Sequence, residues 1–236
     1  MKATILHEWL QLKSRNFQPI VKFDPEKEKL LQFDFTESNK TLQRIDLLDT
    51  EIFGGYINDL LQNAGAKFGI GGYNELRTLY ARSSLFSGDA IEQEEPRRLH
   101  LGVDIWGKEG TEIFAPFDGV VHSFAFNNNF GDYGATIILS HPQEGRQFFT
   151  LYGHLSVDDL NINEGDEISQ GQQFAHFGAP RENGHWPPHL HFQVIHDIEN
   201  YKGDYPGVCK FSEREKYLAN CPDPDLILNL MQYVSR

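Results

Sequence analysis

One aspartate and four histidines, scattered over almost a hundred positions, are the side chains of this sequence whose types and spacing could bind a metal. His100 and Asp104 lie in "LHLGVDIWG", His154 in "LYGHLS", and His189 and His191 in "HLHFQV". On a strand, residues two apart share a face, with their roots about 6 to 7 Å apart. Both imidazoles of HLH can therefore look into one cavity while Leu190 turns the other way, into a core. Zinc holds nitrogen at about 2.0 to 2.1 Å, which puts two donors on one tetrahedral ion about 3.3 Å apart. Both histidines could bind, or one could bind with the other standing beside it. His100 and Asp104 would be about 13 Å apart on a straight strand, so the chain must bend between them. Gly102 supplies conformational freedom for that bend. Two imidazoles and a carboxylate, with histidines to spare, make up the ligand set of a catalytic zinc site that keeps a fourth position for water. Nitrogen and oxygen donors without thiolate suit zinc, and iron, manganese or cobalt could occupy such a site in vitro.

The elements that must position these residues are legible in part. From about residue 99 the chain reads as short β-branched or aromatic runs broken by Gly, Pro, Asn and Asp, among them "EIFAPFDGVVHSFAF", "ATIILSH", "QFFTLYGHL" and "HLHFQVI"; this texture predicts a compact antiparallel β region. Pro187 and Pro188 cannot donate ladder hydrogen bonds, so the HLH strand should begin just after them. The first 95 residues differ. "DTEIFGGYINDLLQNAGA" places Ile52, Phe53, Tyr56, Ile57, Leu60 and Leu61 at helical spacing, with Asp49 or Thr50 as N-cap and Gly65 near the end. Helical pattern recurs at "ILHEWLQL" and around "NELRTLYARSSLF", with strands or irregular chain between. Asp223 and Pro224 open a short closing helix, as N-cap and first helical residue. The expected architecture is α+β: a helical or mixed N-terminal region over 1–95, and an antiparallel β domain over 96–236 with a C-terminal helix.

Composition narrows the function classes. The 236 residues carry 21 Lys plus Arg against 34 Asp plus Glu, a net charge of −13, which repels phosphate backbones and anionic membranes at long range. Neither nucleic acid nor membrane is an expected partner. No apolar run approaches a membrane span and no signal-peptide pattern stands at the amino end, so a cytoplasmic location is expected. Cys209 and Cys221 are the two cysteines, read as reduced thiols in that compartment.

The ordered set "HLGVD", "GTEIFAPFDGVV", "TLYGHLS", "EGDEISQGQQFAHFG" and "HLHFQV" resembles the LytM/lysostaphin-type zinc metallopeptidases over roughly residues 99 to 197. The resemblance implies that His100, Asp104 and His191 ligate zinc and that His154 and His189 are the catalytic histidines. It implies an antiparallel sheet flooring a groove, and hydrolysis of a peptide or amide bond by a metal-activated water. "GGYNELRTLYARSSLF", "YPGV" and "CPDPDLIL" are similar to a subgroup of the family also found joined to aminotransferases, which implies a small-molecule peptide or amide substrate.

The loops "NNNFGDYG" and "GAPRENGHWPP" are the expected groove walls, with Tyr133 and Trp186, and Trp106 behind them, as candidate substrate contacts. Glu75 and Arg77 could reach the groove and recognise a charged substrate end; an exposed ion pair on a helix is the plainer alternative. His122, His141, His176, His185 and His196 are read as structural. Two other functions compete. A phosphocarrier domain shares the pattern "G-x-x-I-x-A-P-x-x-G-x-V" but needs no carboxylate ligand, and a metal-binding module without turnover would use the same groove.

Overall fold

The computed structural model describes residues 2–13, 16–88, 94–143 and 146–235. In chain order the strands are β1 (Leu30–Phe33), β2 (Phe68–Gly71), β3 (Arg97–His100), β4 (Val103–Trp106), β5 (Glu112–Phe114), β6 (Gly119–Asn127) and β7 (Gly134–Gln143). They continue with β8 (Arg146–Leu155), β9 (Glu167–Ile168), β10 (Gln173–His176), β11 (His189–Ile195), β12 (Val208–Lys210) and β13 (Val234–Ser235). A nine-stranded sheet in the order β13-β1-β2-β4-β11-β8-β7-β6-β9 carries the molecule, flanked by the pairs β10-β5 and β12-β3. From β2 to β9 all neighbours are antiparallel; β1 runs parallel to both β2 and β13. The architecture is α+β.

Register places the site. His189 stands opposite Trp106 and His191 opposite Asp104 across the β11–β4 pair, while Gly153 of β8 lies on the other side of His191. Directly opposed residues on one face have their Cβ atoms about 4.5 to 5.5 Å apart, so pairing alone brings Asp104 against His191. Leu190 points away and is fully buried in the core between the sheet and its covering elements, with Val103, Ile105 and Phe192.

The first 95 residues do not stand apart from this sheet. β1 and β2 extend it, and Gly71 of β2 pairs with Asp104 itself. Helix α1 (Lys2–Lys13) buries Leu6 and Leu10, and α2 (Thr50–Ala64) buries Phe53, Ile57 and Leu61 at helical spacing. Asp49 caps α2 by accepting from the amides of Glu51 and Ile52, and Gly65 ends it at φ 59°, the left-handed turn that glycine adopts without penalty. Phe53 lays its ring 6.1 Å from Trp106 and 6.4 Å from Trp186, so α2 braces the site from behind.

The region around 74–86 departs from expectation. Instead of a helix it forms an extended stretch bridged to Leu99, followed by 3-10 turns at Leu79–Arg82 and Ser84–Phe86. Part of the reason is local. Ser83 is extended, at φ −123° and ψ 136°, and its hydroxyl accepts from the Leu85 amide, so it starts a new turn instead of continuing the old one. A helix would also have turned Arg77, Leu79, Tyr80 and Arg82 to different faces, yet all are buried.

The chain closes with α3 (Arg214–Asn220), which the pattern did not signal, and α4 (Asp225–Leu228). α4 begins one residue later than expected: Pro224 is its N-cap, and Asp223 accepts from the Asp225 amide. Cys209 and Cys221 are buried free thiols.

Candidate metal centre

His100 closes β3 and Asp104 lies in β4, and the two-residue break between the strands is the bend their spacing required. Gly102 serves there by lacking a side chain: a Cβ would sit 2.5 Å from Cε1 of His191. His100 Nε2, His191 Nδ1 and Asp104 Oδ1 then converge. The two nitrogens are 3.0 Å apart, His191 Nδ1 lies 3.0 Å from the carboxylate oxygen, and His100 Nε2 lies 3.2 Å from it. These are the three side chains that cluster at metal-binding range among the described residues.

The donor chemistry tests whether a cation fits. His100 Nδ1 is 3.1 Å from the Gly72 carbonyl, which only accepts, so that nitrogen carries the hydrogen and Nε2 presents a lone pair. His191 Nε2 is 2.9 Å from Gln193 Oε1, and the Gln193 amide nitrogen donates to the Pro206 carbonyl at 3.1 Å. That orientation makes His191 Nε2 the donor and leaves Nδ1 bare. Three lone pairs therefore face one another at 3.0 to 3.2 Å with no hydrogen assigned between them. Their repulsion is relieved by a cation, and the edges are close to the roughly 3.3 Å that tetrahedral zinc needs between donors. The set fits zinc, which His100, Asp104 and His191 could hold.

Arg77 fixes the carboxylate. Its Nη1 donates to Asp104 Oδ2 and its Nε to Glu75 Oε2 at 2.6 Å, with the guanidinium 1% exposed. Burial alone would raise the Asp104 carboxyl; the nearby His100 imidazole and Arg77 guanidinium overcome it and hold the group well below the ordinary range. With Oδ2 occupied, Oδ1 is the oxygen turned to the histidines. The exposed helical ion pair is thus corrected: the pair is buried and non-helical. Arg77 lines the cavity from behind Asp104, and Glu75 lies behind Arg77.

His154 and His189 form a second pair, their rings 4.1 Å apart. His189 Nδ1 donates to the Pro187 carbonyl at 2.8 Å and His154 Nδ1 to the Asn183 carbonyl at 2.8 Å, so in each the Nε2 is the basic nitrogen. Trp106 stacks on His189 at 3.8 Å and 9°. His154 adopts φ 64°, a left-handed conformation that costs a non-glycine residue about 1 to 2 kcal/mol; the Tyr133 carbonyl holds it by accepting the His154 amide at 2.8 Å. Burial pushes His189 down to about 4 and, with His189 adjacent, pushes His154 well down. Both imidazoles are neutral at physiological pH.

The five side chains are 0 to 6% exposed, and Asp104, His154, His189 and His191 border a cavity of about 310 Å³. Tyr133 and Trp186 line it too. Tyr133 donates to the Tyr205 carbonyl at 3.2 Å, with its hydroxyl 3.4 Å from His191 Nε2, and Trp186 is 3% exposed, its ring edge-on to His154. The two expected groove-wall loops are joined, the Gly131 amide donating to the Gly184 carbonyl at 2.8 Å and that of Ala135 to the Glu182 carbonyl at 3.1 Å. Both line the cavity, the first through Gly131, Asp132 and Tyr133 and the second through Trp186, and residues of 79–86 and 201–208 complete its lining. Sequence reasoning passed over Gln193, although its place two residues after His191 on the same strand face was a usable signal. Asn183, which orients His154 through its backbone, carried none.

The profile described as Peptidase family M23 matches residues 98–203. A metalloprotease of Haemophilus influenzae, described as uncharacterized, is 33% identical over 41% of this chain and 18% of its own length. The DD-carboxypeptidase/endopeptidase Mpg of Neisseria meningitidis serogroup B is 32% identical over 52% of this chain and 26% of its own. This chain therefore spans about a fifth to a quarter of those relatives. Among solved structures, the catalytic domain of lysostaphin from Staphylococcus simulans is 23% identical over 51% of this chain and 80% of that one, at a TM-score of 0.35. The match to Peptidase family M23 thus covers the stretch from 98 to 203, which holds the His100–Asp104–His191 cluster and the His154–His189 pair together.

Proposed function

We propose that this protein is a zinc-dependent hydrolase that cleaves a peptide or amide bond. The observation that carries the reading is the convergence of three bare donor atoms beside two neutral imidazoles for whose Nε2 atoms no hydrogen bond is seen among the described residues. Zinc, which His100, Asp104 and His191 would hold, would supply Lewis acidity and make water easier to deprotonate near neutral pH. His154 and His189, fixed by the Asn183 and Pro187 carbonyls, are placed to take a proton at Nε2 and return it to the leaving amine. Their depressed basicity keeps them in the proton-accepting form. Gln193 keeps the His191 ring in the tautomer that leaves Nδ1 free, and Arg77 keeps Asp104 ionised and oriented.

The match to Peptidase family M23 and relatives named as a metalloprotease and a DD-carboxypeptidase/endopeptidase support this reading. A phosphocarrier draws no support, since the Asp104 carboxylate stands 3.0 and 3.2 Å from the two imidazole nitrogens and would repel a phosphoryl group. A module without turnover is separated by kinetics. The reading includes a small peptide or amide as substrate and a reducing, cytoplasmic setting, which the two buried free thiols support. No helix among the described residues is long and apolar enough to cross a membrane. The test is hydrolysis of peptide amides by zinc-loaded protein, expected to vanish on chelation and return with added zinc. Activity indifferent to removal of the metal overturns it.

A further inference from the structure

We infer that Arg82 and Ser83 strap the active-site cavity shut at one end, so that the site takes short peptides or small amides and cleaves near a chain terminus instead of inside a polymer. The inference rests on the hydrolytic reading given above and goes on to its substrate class. A polymer cut internally must pass through the site, which requires two openings. The end of the cavity beside His154 and Trp186 is closed by three segments locked together. The Gly131 amide donates to the Gly184 carbonyl at 2.8 Å, which joins loops 127–134 and 178–188. Over that joint lies the strap. The Ser83 hydroxyl donates to the Phe130 carbonyl at 2.7 Å, and Arg82 Nη2 donates to the His185 carbonyl at 3.1 Å.

The Arg82 guanidinium sits 4.7 Å from the Phe130 ring centre and 4.5 Å from that of Trp186, one ring from each loop. It is 6% exposed, no ion pair with an acidic side chain is seen for it among the described residues, and burial pushes it down to about 10. A cation kept at that cost is held by ring faces and the His185 carbonyl. There is no slack at the joint, because a Cβ on Gly131 would lie 2.5 Å from that of Ser83. Thr50, in the first turn of α2, adds its hydroxyl to the same His185 carbonyl at 3.0 Å.

The strap continues into the roof. Arg98 donates to the Phe86 carbonyl at 3.0 Å, Arg97 donates to that of Leu85, and Tyr80 packs on Phe86 at 4.9 Å. Of the residues that line the cavity, Leu85, Tyr201 and Asp204 are the exposed ones, and they mark its mouth. A volume of about 310 Å³ is at the small end of the range for sites that hold small molecules, about 300 to 1,000 Å³.

The test is a length series on the zinc-loaded full chain. One scissile bond is presented in a tripeptide, then extended by several residues on one side, on the other, and on both, with purified cross-linked peptidoglycan as the polymer. The expected result is that kcat/KM survives extension on one side and falls by at least about tenfold, or about 1.4 kcal/mol, when both sides are extended. Arg82→Ala should recover part of that loss, and the wild-type series decides the matter should that variant fold poorly. Equal turnover of the bond in all lengths, or release of fragments from the interior of peptidoglycan, overturns the inference and leaves the hydrolase reading intact. No turnover of any member, with zinc bound, overturns both.

Discussion

The His100–Asp104–His191 triangle and the histidine pair beside it both present buried imidazoles, the triangle adding a carboxylate, yet they differ in where their lone pairs go. In the triangle, Gly72 and Gln193 hold the outer nitrogens of His100 and His191, and the inner ones meet Asp104 within 3.0 to 3.2 Å. In the pair, carbonyls hold Nδ1 of His154 and His189, and the Nε2 atoms have no such mutual focus. His141 is a third arrangement: buried, with Nδ1 on the Asp118 carbonyl at 2.8 Å and Nε2 on the Thr150 hydroxyl at 2.8 Å. A histidine with both nitrogens committed is structural. One with a nitrogen left over is available for chemistry, and several left over at one point make a metal site.

That contrast can be broken most decisively at the triangle. Asp104→Ala and His191→Ala should each abolish stoichiometric zinc binding and with it all metal-dependent turnover, measured by metal analysis after dialysis. Zinc retained in both would dissolve the distinction between the two groups. His154→Ala or His189→Ala should keep zinc while kcat falls by about 10² to 10⁴, the ordinary worth of a proton-transfer group; loss of metal in these variants would merge the pair with the triangle. Arg77→Met tests the support behind Asp104. It should weaken zinc binding by about 10 to 100-fold, as losing a partner of a ligand does, and an unchanged affinity in a chelator competition would mean that Asp104 needs no clamp.

His141 supplies the smallest effect and the control. Burial pushes it down to about 4, below the ordinary histidine value of about 6.5. Between those pH values the unfolded chain binds a proton that the folded chain refuses, so stability rises with pH across the window and is lost as pH falls from 6.5 toward 4. The full contribution is about 3 kcal/mol by that linkage. In denaturant titrations of the zinc-free protein, His141→Gln should flatten the slope of stability against pH over that window, while the loaded variant keeps its turnover. A slope untouched by the substitution would remove His141 as an example of a committed imidazole.

Much of the site was legible because strand geometry is periodic. HLH puts two imidazoles on one face whatever lies around it, and the break at Gly102 follows from the reach of the chain. Helix α2 was legible from its apolar spacing and from both caps. The stretch containing Arg77 was not. Its alternation of charged and apolar residues suits a helix or an extended strap equally, and tertiary contacts chose between them: the carboxylate at Asp104 captured Arg77, and the rings of Phe130 and Trp186 captured Arg82. Short charged pairs are usually solvated, so nothing local marked these two arginines as buried.

The types and spacing of His100, Asp104, His154, His189 and His191 pointed to a nitrogen and oxygen donor set on strands, because ligand type and side-chain alternation are properties of short segments; which of them would be ligands came from the resemblance to a family. What only the folded molecule decided is how that set is enclosed. Loops 127–134 and 178–188 meet, and residues between 77 and 83 clamp Asp104 and seal one end of the cavity. Enclosure depends on contacts between residues about fifty to more than a hundred positions apart, such as Ser83 with Phe130 and Arg82 with His185, and no local pattern encodes which distant surfaces will find each other.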